Sequence, residues 1–241
     1  MPRDILLPAV NLIALETSTE YCSLALSRGE QVFERSFHAG QRHSELALPA
    51  LRELLQLADL AMASIDGIAY GAGPGSFTGL RIACGLAQGI AFARDLPVIG
   101  ISTLAAMAEE CGTPRVVACL DARMREVYYA CLERDGAVWR EVVGARCVAP
   151  QSAPAPAGTG WTGCGSGFSA YPEFLGHLAQ KILPEVHASA LAVARLAAPR
   201  LAAGEGLDPA RAVPVYLRDK VALTTQEREQ AALQSVARER S

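Results

Sequence analysis

The chain has 241 residues, of which 51% are hydrophobic and 6% aromatic, and its formal net charge at pH 7 is −3. The apolar content is enough for a sizeable core in one large domain or two smaller lobes. The acidic balance argues against a protein that grips nucleic acid by itself, because such binding depends on neutralising phosphates, and the few aromatic residues argue against a base-stacking surface.

Cysteine usage and the N-terminal sequence indicate a compartment. The seven cysteines include no C-x-x-C pair, so we expect reduced, buried thiols and neither a disulfide framework nor a zinc site, with one reactive cysteine as the alternative. The first apolar run is broken by Pro2, Pro8 and Asn11 and does not predict a signal peptide. The apolar segment 77–93 contains Arg81 and three glycines, which argues against a membrane span. We predict a cytoplasmic protein.

The first half of the chain mixes strand and helix patterns. Short apolar or alternating runs predict strands, and apolar periodicity predicts helices, the third of which begins at Ser102 or Thr103 as N-cap. The predicted strands cover 10–16, 22–29, 31–37, 65–70 and 98–101, and the first two helices cover 43–57 and 77–93.

The segment 115–143 repeats the opening pattern. It contains a buried strand that leads to Asp121, a polar turn, a second strand, an Asp135-Gly136 hairpin and a third strand. Glu16 ends the corresponding strand of the first meander, so the two acids occupy equivalent places. We interpret this as an internal duplication that builds two lobes on one plan.

We place the first lobe at 1–108 and the second, shorter lobe at 109–220. The second copy weakens after Val143, where the Pro/Gly-rich stretch 149–167 predicts a loop. A helix is predicted at about 188–203, and residues 221–241 form a polar tail.

A glycine-rich loop joins a predicted strand to a predicted helix in GAGPGSFTGLRIACGLAQGIA (71–91), which is the usual place to hold a phosphate. The segment lacks the lysine of a P-loop, and Thr78 stands where G-x-G-x-x-G, counted from Gly73, requires glycine. We therefore expect the loop to shape the turn into the helix, with weak phosphate binding as the alternative.

Three glycines inside the helix, at 79, 85 and 89, each cost about 1 kcal/mol relative to alanine. Close approach of another backbone would offset that cost. Gly85, Gly89 and Ala93 share one face, and alanines at 83, 87 and 91 share the next. The backbone that approaches belongs either to the chain's own sheet or to a helix of another chain. Both interpretations are true if the sheet and the other helix pack on different faces.

Other catalytic signatures are weak. The four histidines lack metal-site spacing, and Ser76 lies in G-S-F-T-G, which is not a nucleophile elbow. Glu16 and Asp121 could hold magnesium-bound water between the lobes. The alternative is that both acids cap turns through backbone amides.

The chain resembles the TsaB/YeaZ type, the dimerisation subunit of the bacterial tRNA threonylcarbamoyladenosine machinery, from about 12 to 219. The combination of GPGSFTGLRI with HSE upstream and DAR downstream is specific. The motifs that carry the resemblance are LIALETSTEYCSLAL, RHSELALPALREL, IDGIAYGAGPGSFTGLRIACGLAQGIAF, GISTLAAMA, DARMREVYYA, GSG and PVYLRD.

The resemblance implies an α/β fold of the actin-like ATPase (ribonuclease H-like) type, with two lobes that each have a mixed sheet and flanking helices. It implies a non-catalytic subunit that pairs with and activates a larger TsaD-type paralogue, which transfers a threonylcarbamoyl group to the adenosine beside the tRNA anticodon. A small P-loop ATPase of the TsaE type joins the complex. The chain is expected to form a homodimer when alone and to meet tRNA only through the complex.

The paralogue's His-x-x-x-His metal pair maps onto Thr103 and Met107, which are poor ligands, so we expect no metal, no cofactor and no catalytic residue. Glu16 stands where the family most often has Asp. The alternatives are a small ATP-dependent phosphotransferase and, with no supporting residue set, a peptidase. Weak residual nucleotide binding would use the loops of Glu16, Thr17, Ser18, Gly73, Gly75 and Asp121.

The two interface helices, 43–57 and 77–93, are expected to bundle with the matching helices of the partner. Helical phase alone does not distinguish the buried face from the exposed one. The residues we predict at the interface are His43, Leu46, Ala47, Ala50, Leu54, Ala83, Leu86, Ala87 and Ile90.

Overall fold

The computed structural model describes residues 9–218, which form two five-stranded sheets. In the first sheet the spatial order is β3-β2-β1-β4-β5, with β2 antiparallel to its neighbours and β4 parallel to β1 and β5. Its strands are β1 (Leu12–Glu16), β2 (Tyr21–Arg28), β3 (Gln31–His38), β4 (Gly67–Gly73) and β5 (Val98–Ser102).

The second sheet repeats this plan in the order β10-β9-β6-β7-β8, an antiparallel meander followed by two parallel strands. The predicted duplication is therefore confirmed, since β6 stands where β1 stands and β9 where β4 stands. The strands are β6 (Arg115–Arg123), β7 (Glu126–Asp135), β8 (Val138–Val148), β9 (Thr162–Cys164) and β10 (Lys181–Leu183).

Six α-helices flank the sheets. The helices α1 and α2 share one apolar core with the first sheet, α3 and α6 lie in a core shared by both sheets, and α4 and α5 pack on the far side of the second sheet. Their bounds are α1 (His43–Leu57), α2 (Phe77–Arg94), α3 (Thr103–Cys111), α4 (Ser166–Ala170), α5 (Pro172–Leu175) and α6 (Ala190–Ala202).

Two expectations need correction. The predicted loop at 149–167 contains β9, whose three residues are fully inside the second sheet. The second lobe predicted at 109–220 does not match the packing, because α6, which falls within that range, lies against β1 and β2 of the first sheet. The amide of Ala190 donates to the Ser23 hydroxyl at 2.9 Å and fixes the start of α6 there. The tail at 221–241 lies outside the described residues.

The helix bounds agree with local sequence signals. Ser76 and Ser102 are the N-caps of α2 and α3, and each hydroxyl accepts from the amide three residues later. Gly112 ends α3 in the left-handed conformation that glycine allows. Within residues 9–218, every helix is too short or too polar to span a bilayer.

Candidate functional site

A cleft of about 870 Å³ lies between the two lobes. The first lobe contributes the β1–β2 turn and the glycine loop before α2, and the second contributes the end of β6 and the start of α4. The predicted loop residues Ser18, Gly75 and Asp121 line it, whereas Glu16, Thr17 and Gly73 are buried behind its wall.

The glycine loop packs directly on the β1–β2 turn. The Ser76 amide donates to the Ser18 carbonyl at 2.7 Å, and the Thr17 hydroxyl donates to the Gly79 carbonyl at 2.8 Å. A Cβ on Gly75 would lie 2.5 Å from the Ser18 carbonyl oxygen, and one on Gly79 would clash with the Thr17 carbonyl oxygen. These two glycines permit contact between two protein segments, so the cost of Gly79 in the helix is offset inside the chain.

Glu16 caps the turn that follows β1. Its Oε1 accepts from the Ser18 amide at 2.6 Å, and the residue is 1% exposed. Burial raises the pKa of Glu16 above its ordinary value. Oε2 has no hydrogen-bond partner among the described residues and lies against Gly71, where a Cβ would clash with it.

Asp121 has the same capping role in the second lobe. Its Oδ1 accepts from the Arg123 amide at 2.9 Å, and its Oδ2 pairs with the Arg123 guanidinium at 3.1 Å. Both acids therefore cap turns, which was the alternative to the magnesium hypothesis. Within residues 9–218, no three His, Cys, Asp or Glu side chains converge as a metal site.

Thr103 and Met107, onto which the resemblance maps the paralogue's histidine pair, are fully buried on α3. The helix lies in the core shared by both sheets, so these side chains pack against protein and do not reach the cleft. A hydroxyl and a thioether in this apolar setting offer a hard cation no usable ligand set.

A segment that we name the strap, residues 212–218, crosses the glycine loop. The Val215 amide donates to the Ala72 carbonyl at 2.6 Å, and the Tyr70 hydroxyl bonds both the amide and the carbonyl of Val213 at 3.0 and 3.2 Å. A Cβ on Gly73, whose φ is +120°, would lie 2.6 Å from the Val215 carbonyl oxygen. Gly73 therefore accommodates the strap.

The end of the strap reaches the second lobe. Arg218 pairs with Glu126 at 2.5 Å and donates to the Arg123 carbonyl at 3.2 Å. The turn it contacts is unusual, because Arg123, Met124 and Arg125 all have positive φ, which costs most residues about 1 kcal/mol or more each. Sequence reasoning found PVYLRD only as a motif and gave it no place. Residues 214–218 of this motif lie in the strap, which connects the lobes.

The predicted interface residues face the chain's own core. Leu46, Leu86 and Ile90 are partly buried and pack against the same cluster as the rest. The sequence correctly predicted which residues form the apolar face of each helix. In the structure this face packs on the first sheet, so the predicted interface is wrong for those of its residues that are buried there. Those are His43, Ala47, Ala50, Leu54, Ala83 and Ala87, each at most 5% exposed.

The opposite face of α2 is exposed. Phe92 is 78% exposed, and a Cβ on Gly85 or Gly89 would meet no described atom within 4 Å. These residues line a shallow hollow of about 430 Å³ together with Pro209 and Ala210. Packing within residues 9–218 therefore does not offset the cost of these two glycines, about 2 kcal/mol. Leu48 and Leu57 of α1 are also about half exposed.

Comparison with known proteins gives consistent matches. Residues 37–162 match the family model described as TsaD, tRNA N6-adenosine threonylcarbamoyltransferase. The chain is 35% identical to the tRNA threonylcarbamoyladenosine biosynthesis protein TsaB of Escherichia coli, over 88% of this chain and 96% of that protein. It is 41% identical to the protein of the same name from Haemophilus influenzae, over 60% of this chain and 66% of that one.

A solved structure agrees in fold. The structure titled YeaZ from Pseudomonas aeruginosa superposes with a TM-score of 0.83 at 37% identity, over 86% of this chain and all of that one. The two mixed sheets with flanking helices are those of the duplicated, actin-like fold expected from the sequence.

Proposed function

The chain belongs to the TsaB/YeaZ family of tRNA threonylcarbamoyladenosine biosynthesis proteins, and from this we propose that it is a non-catalytic subunit that pairs with a TsaD-type threonylcarbamoyltransferase and activates it. The partner carries out the transfer to the adenosine beside the anticodon. A TsaE-type ATPase joins the complex, and tRNA reaches this chain only through it. Without its partner the chain forms a homodimer, and it acts in the cytoplasm without a cofactor.

The observation that carries the proposal is the exposed face of α2. Gly85 and Gly89 weaken the helix yet leave open space above them, next to the exposed ring of Phe92. Small residues let another helix approach closely, and an aromatic side chain beside a hollow is the usual anchor of an interface. A helix of the partner laid along this face would bury Phe92 and offset the glycine cost.

The cleft supports a non-catalytic role. The two loops that would enclose a phosphate contact each other through Ser18 and Ser76, and the acid at the end of β1 is buried. The positions of the paralogue's histidine pair lie inside the core. The chain's remaining role is then to shape and stabilise the partner.

Reconstitution with the TsaD-type paralogue tests the proposal. We expect tRNA modification by the paralogue to depend on adding this chain, and Gly85→Arg to reduce both copurification and modification at least tenfold. Arginine has a higher helix propensity than glycine, so unfolding would not explain the loss. Gly176→Arg is the matched control, because Gly176 in the second lobe also has open space above it. Full activity of the paralogue alone, or normal pairing by Gly85→Arg, would refute the proposal.

A further inference from the structure

Two cysteines lie side by side where α3 meets β9. Cys111 is the last residue of α3, and Cys164 is the last residue of β9. The Cys164 Sγ lies 3.9 Å from the carbonyl oxygen of Met107. Met107 is one helical turn before Cys111, so its carbonyl faces the Cys111 amide. This places the Cys164 sulfur against the helical turn that carries the Cys111 side chain.

The two thiols differ in exposure and in surroundings. Cys164 is fully buried, whereas Cys111 is partly exposed, and its Sγ also contacts the Thr113 hydroxyl at 3.5 Å. Hydrogen bonds from Cys164 and Thr113 and the nearby charge of Lys181 lower the pKa of Cys111 to about 6. A partly exposed thiolate beside a second, protected thiol is the arrangement of a sulfenic acid and its resolving cysteine.

The other cysteines are unlike this pair. Burial raises the pKa of each thiol outside the pair, and the hydrogen bond with Cys111 raises that of Cys164, so Cys111 is the one cysteine with a lowered pKa. The five outside the pair are Cys22, Cys84, Cys119, Cys131 and Cys147.

We propose that Cys111 and Cys164 form a reversible disulfide when the protein meets a hydroperoxide, with Cys111 reacting first. With hydrogen peroxide, the Cys111 thiolate attacks one oxygen, an S–O bond forms as the O–O bond breaks, and the leaving hydroxide takes a proton from solvent to become water. The Cys164 thiol then attacks the sulfenic sulfur, an S–S bond forms as the S–O bond breaks, and a second water departs. The pair supplies the two electrons that reduce the peroxide, and a thiol reductant reverses the reaction.

The disulfide has a structural consequence. The helix α3 lies in the core shared by both sheets, and the bond ties its last turn to the end of β9. Cross-linking residues distant in sequence stabilises the fold mainly by restricting the unfolded chain. The oxidised protein is therefore expected to melt about 5 °C or more above the reduced protein.

Peptide mapping of the full chain tests the proposal. The reduced protein is treated with equimolar hydrogen peroxide, its remaining thiols are alkylated, and non-reducing digests are read by mass spectrometry. We expect the linked Cys111–Cys164 peptide as the main product, and its loss after dithiothreitol. Alkylation of both thiols, or a bond from Cys111 to another cysteine, overturns the proposal.

Variants separate the two roles. Cys111→Ser should abolish the linked peptide and leave Cys164 reduced, and the matched control Cys84→Ser should leave the yield unchanged. In Cys164→Ser, Cys111 should stop at the sulfenic or sulfinic acid. If Cys164→Ser does not fold, the peptide maps of the wild-type protein and of Cys111→Ser test the proposal. A disulfide between Cys164 and another cysteine in Cys111→Ser would contradict it.

Discussion

Arg218 pairs with Glu126 at 2.5 Å, and this contact joins the end of the strap to the second sheet. Only 15% of the Arg218 side chain is exposed, against 38% of Glu126. The guanidinium also lies over the Tyr128 ring and donates to the Arg123 carbonyl. A partly buried cation with several partners contributes more than a surface ion pair does.

Arg218→Ala is therefore expected to lower the free energy of unfolding by about 1–3 kcal/mol. Because the strap would lose its attachment to the second lobe, amide exchange should rise in the strap and in the turn at 123–125. Urea unfolding and hydrogen exchange measure the two effects. Arg140→Ala, which removes a more exposed pair with Glu133, is the control and should cost about 1 kcal/mol or less. Equal costs would contradict the proposed role of the strap.

Glu16→Gln should make the protein less sensitive to rising pH. Burial raises the pKa of Glu16 in the folded state above its ordinary 4.5, so the contribution of this group is fully present below about pH 4.5 and is lost as pH rises through the folded pKa. Glutamine keeps the acceptor for the Ser18 amide and carries no charge.

Urea unfolding between pH 5 and 8 measures this effect. The stability of Glu16→Gln relative to wild type should increase with pH over that range. The exposed Glu53, whose pKa is lowered by Arg35, provides the control, and Glu53→Gln should not show the increase. Parallel profiles for Glu16→Gln and wild type would mean that burial does not raise the pKa of Glu16.

Gly79→Ala and Gly89→Ala should have opposite effects although both lie in α2. A Cβ at position 79 would clash with the Thr17 carbonyl, so Gly79→Ala should destabilise the protein by about 3 kcal/mol or more. A Cβ at position 89 meets open space, so Gly89→Ala should stabilise it by about 0.5–1 kcal/mol. Thermal unfolding of the two variants is the measurement, and a destabilised Gly89→Ala would show that this face is occupied.

The isolated chain should not turn over Mg-ATP. The Ser76 amide is directed at the Ser18 carbonyl, and the Gly79 amide is directed at the Ser76 hydroxyl, so these two donors of the glycine loop are already used. Calorimetry and phosphate release measure binding and turnover. Tight binding with hydrolysis would favour the phosphotransferase alternative.

Periodicity predicted most of the fold. The bounds of α1 were predicted to the residue, and those of α2 to within one, because each segment has apolar residues at helical spacing. The meander with its Asp135-Gly136 turn made the duplication visible. The strands β9 and β10 have three residues each, too few for any period, and they were missed.

The candidate site was harder to predict. Helical periodicity shows that Ala83 and Phe92 lie on different faces of α2. Only the position of the first sheet shows which of the two faces packs against it. The roles of Gly73, Gly75 and Gly79 depend on segments distant in sequence, the strap and the β1–β2 turn. Local patterns carry no information about such contacts.

The return of α6 to the first sheet has a consequence for synthesis. The first sheet is made early on the ribosome, but the helix that covers one of its faces is translated only after the whole second sheet. A nascent chain that stops before residue 190 therefore exposes the apolar side chains of Leu12, Ala14 and Ala25, which α6 helps to bury. Such a chain would require a chaperone, and expressing 1–108 alone should yield aggregate.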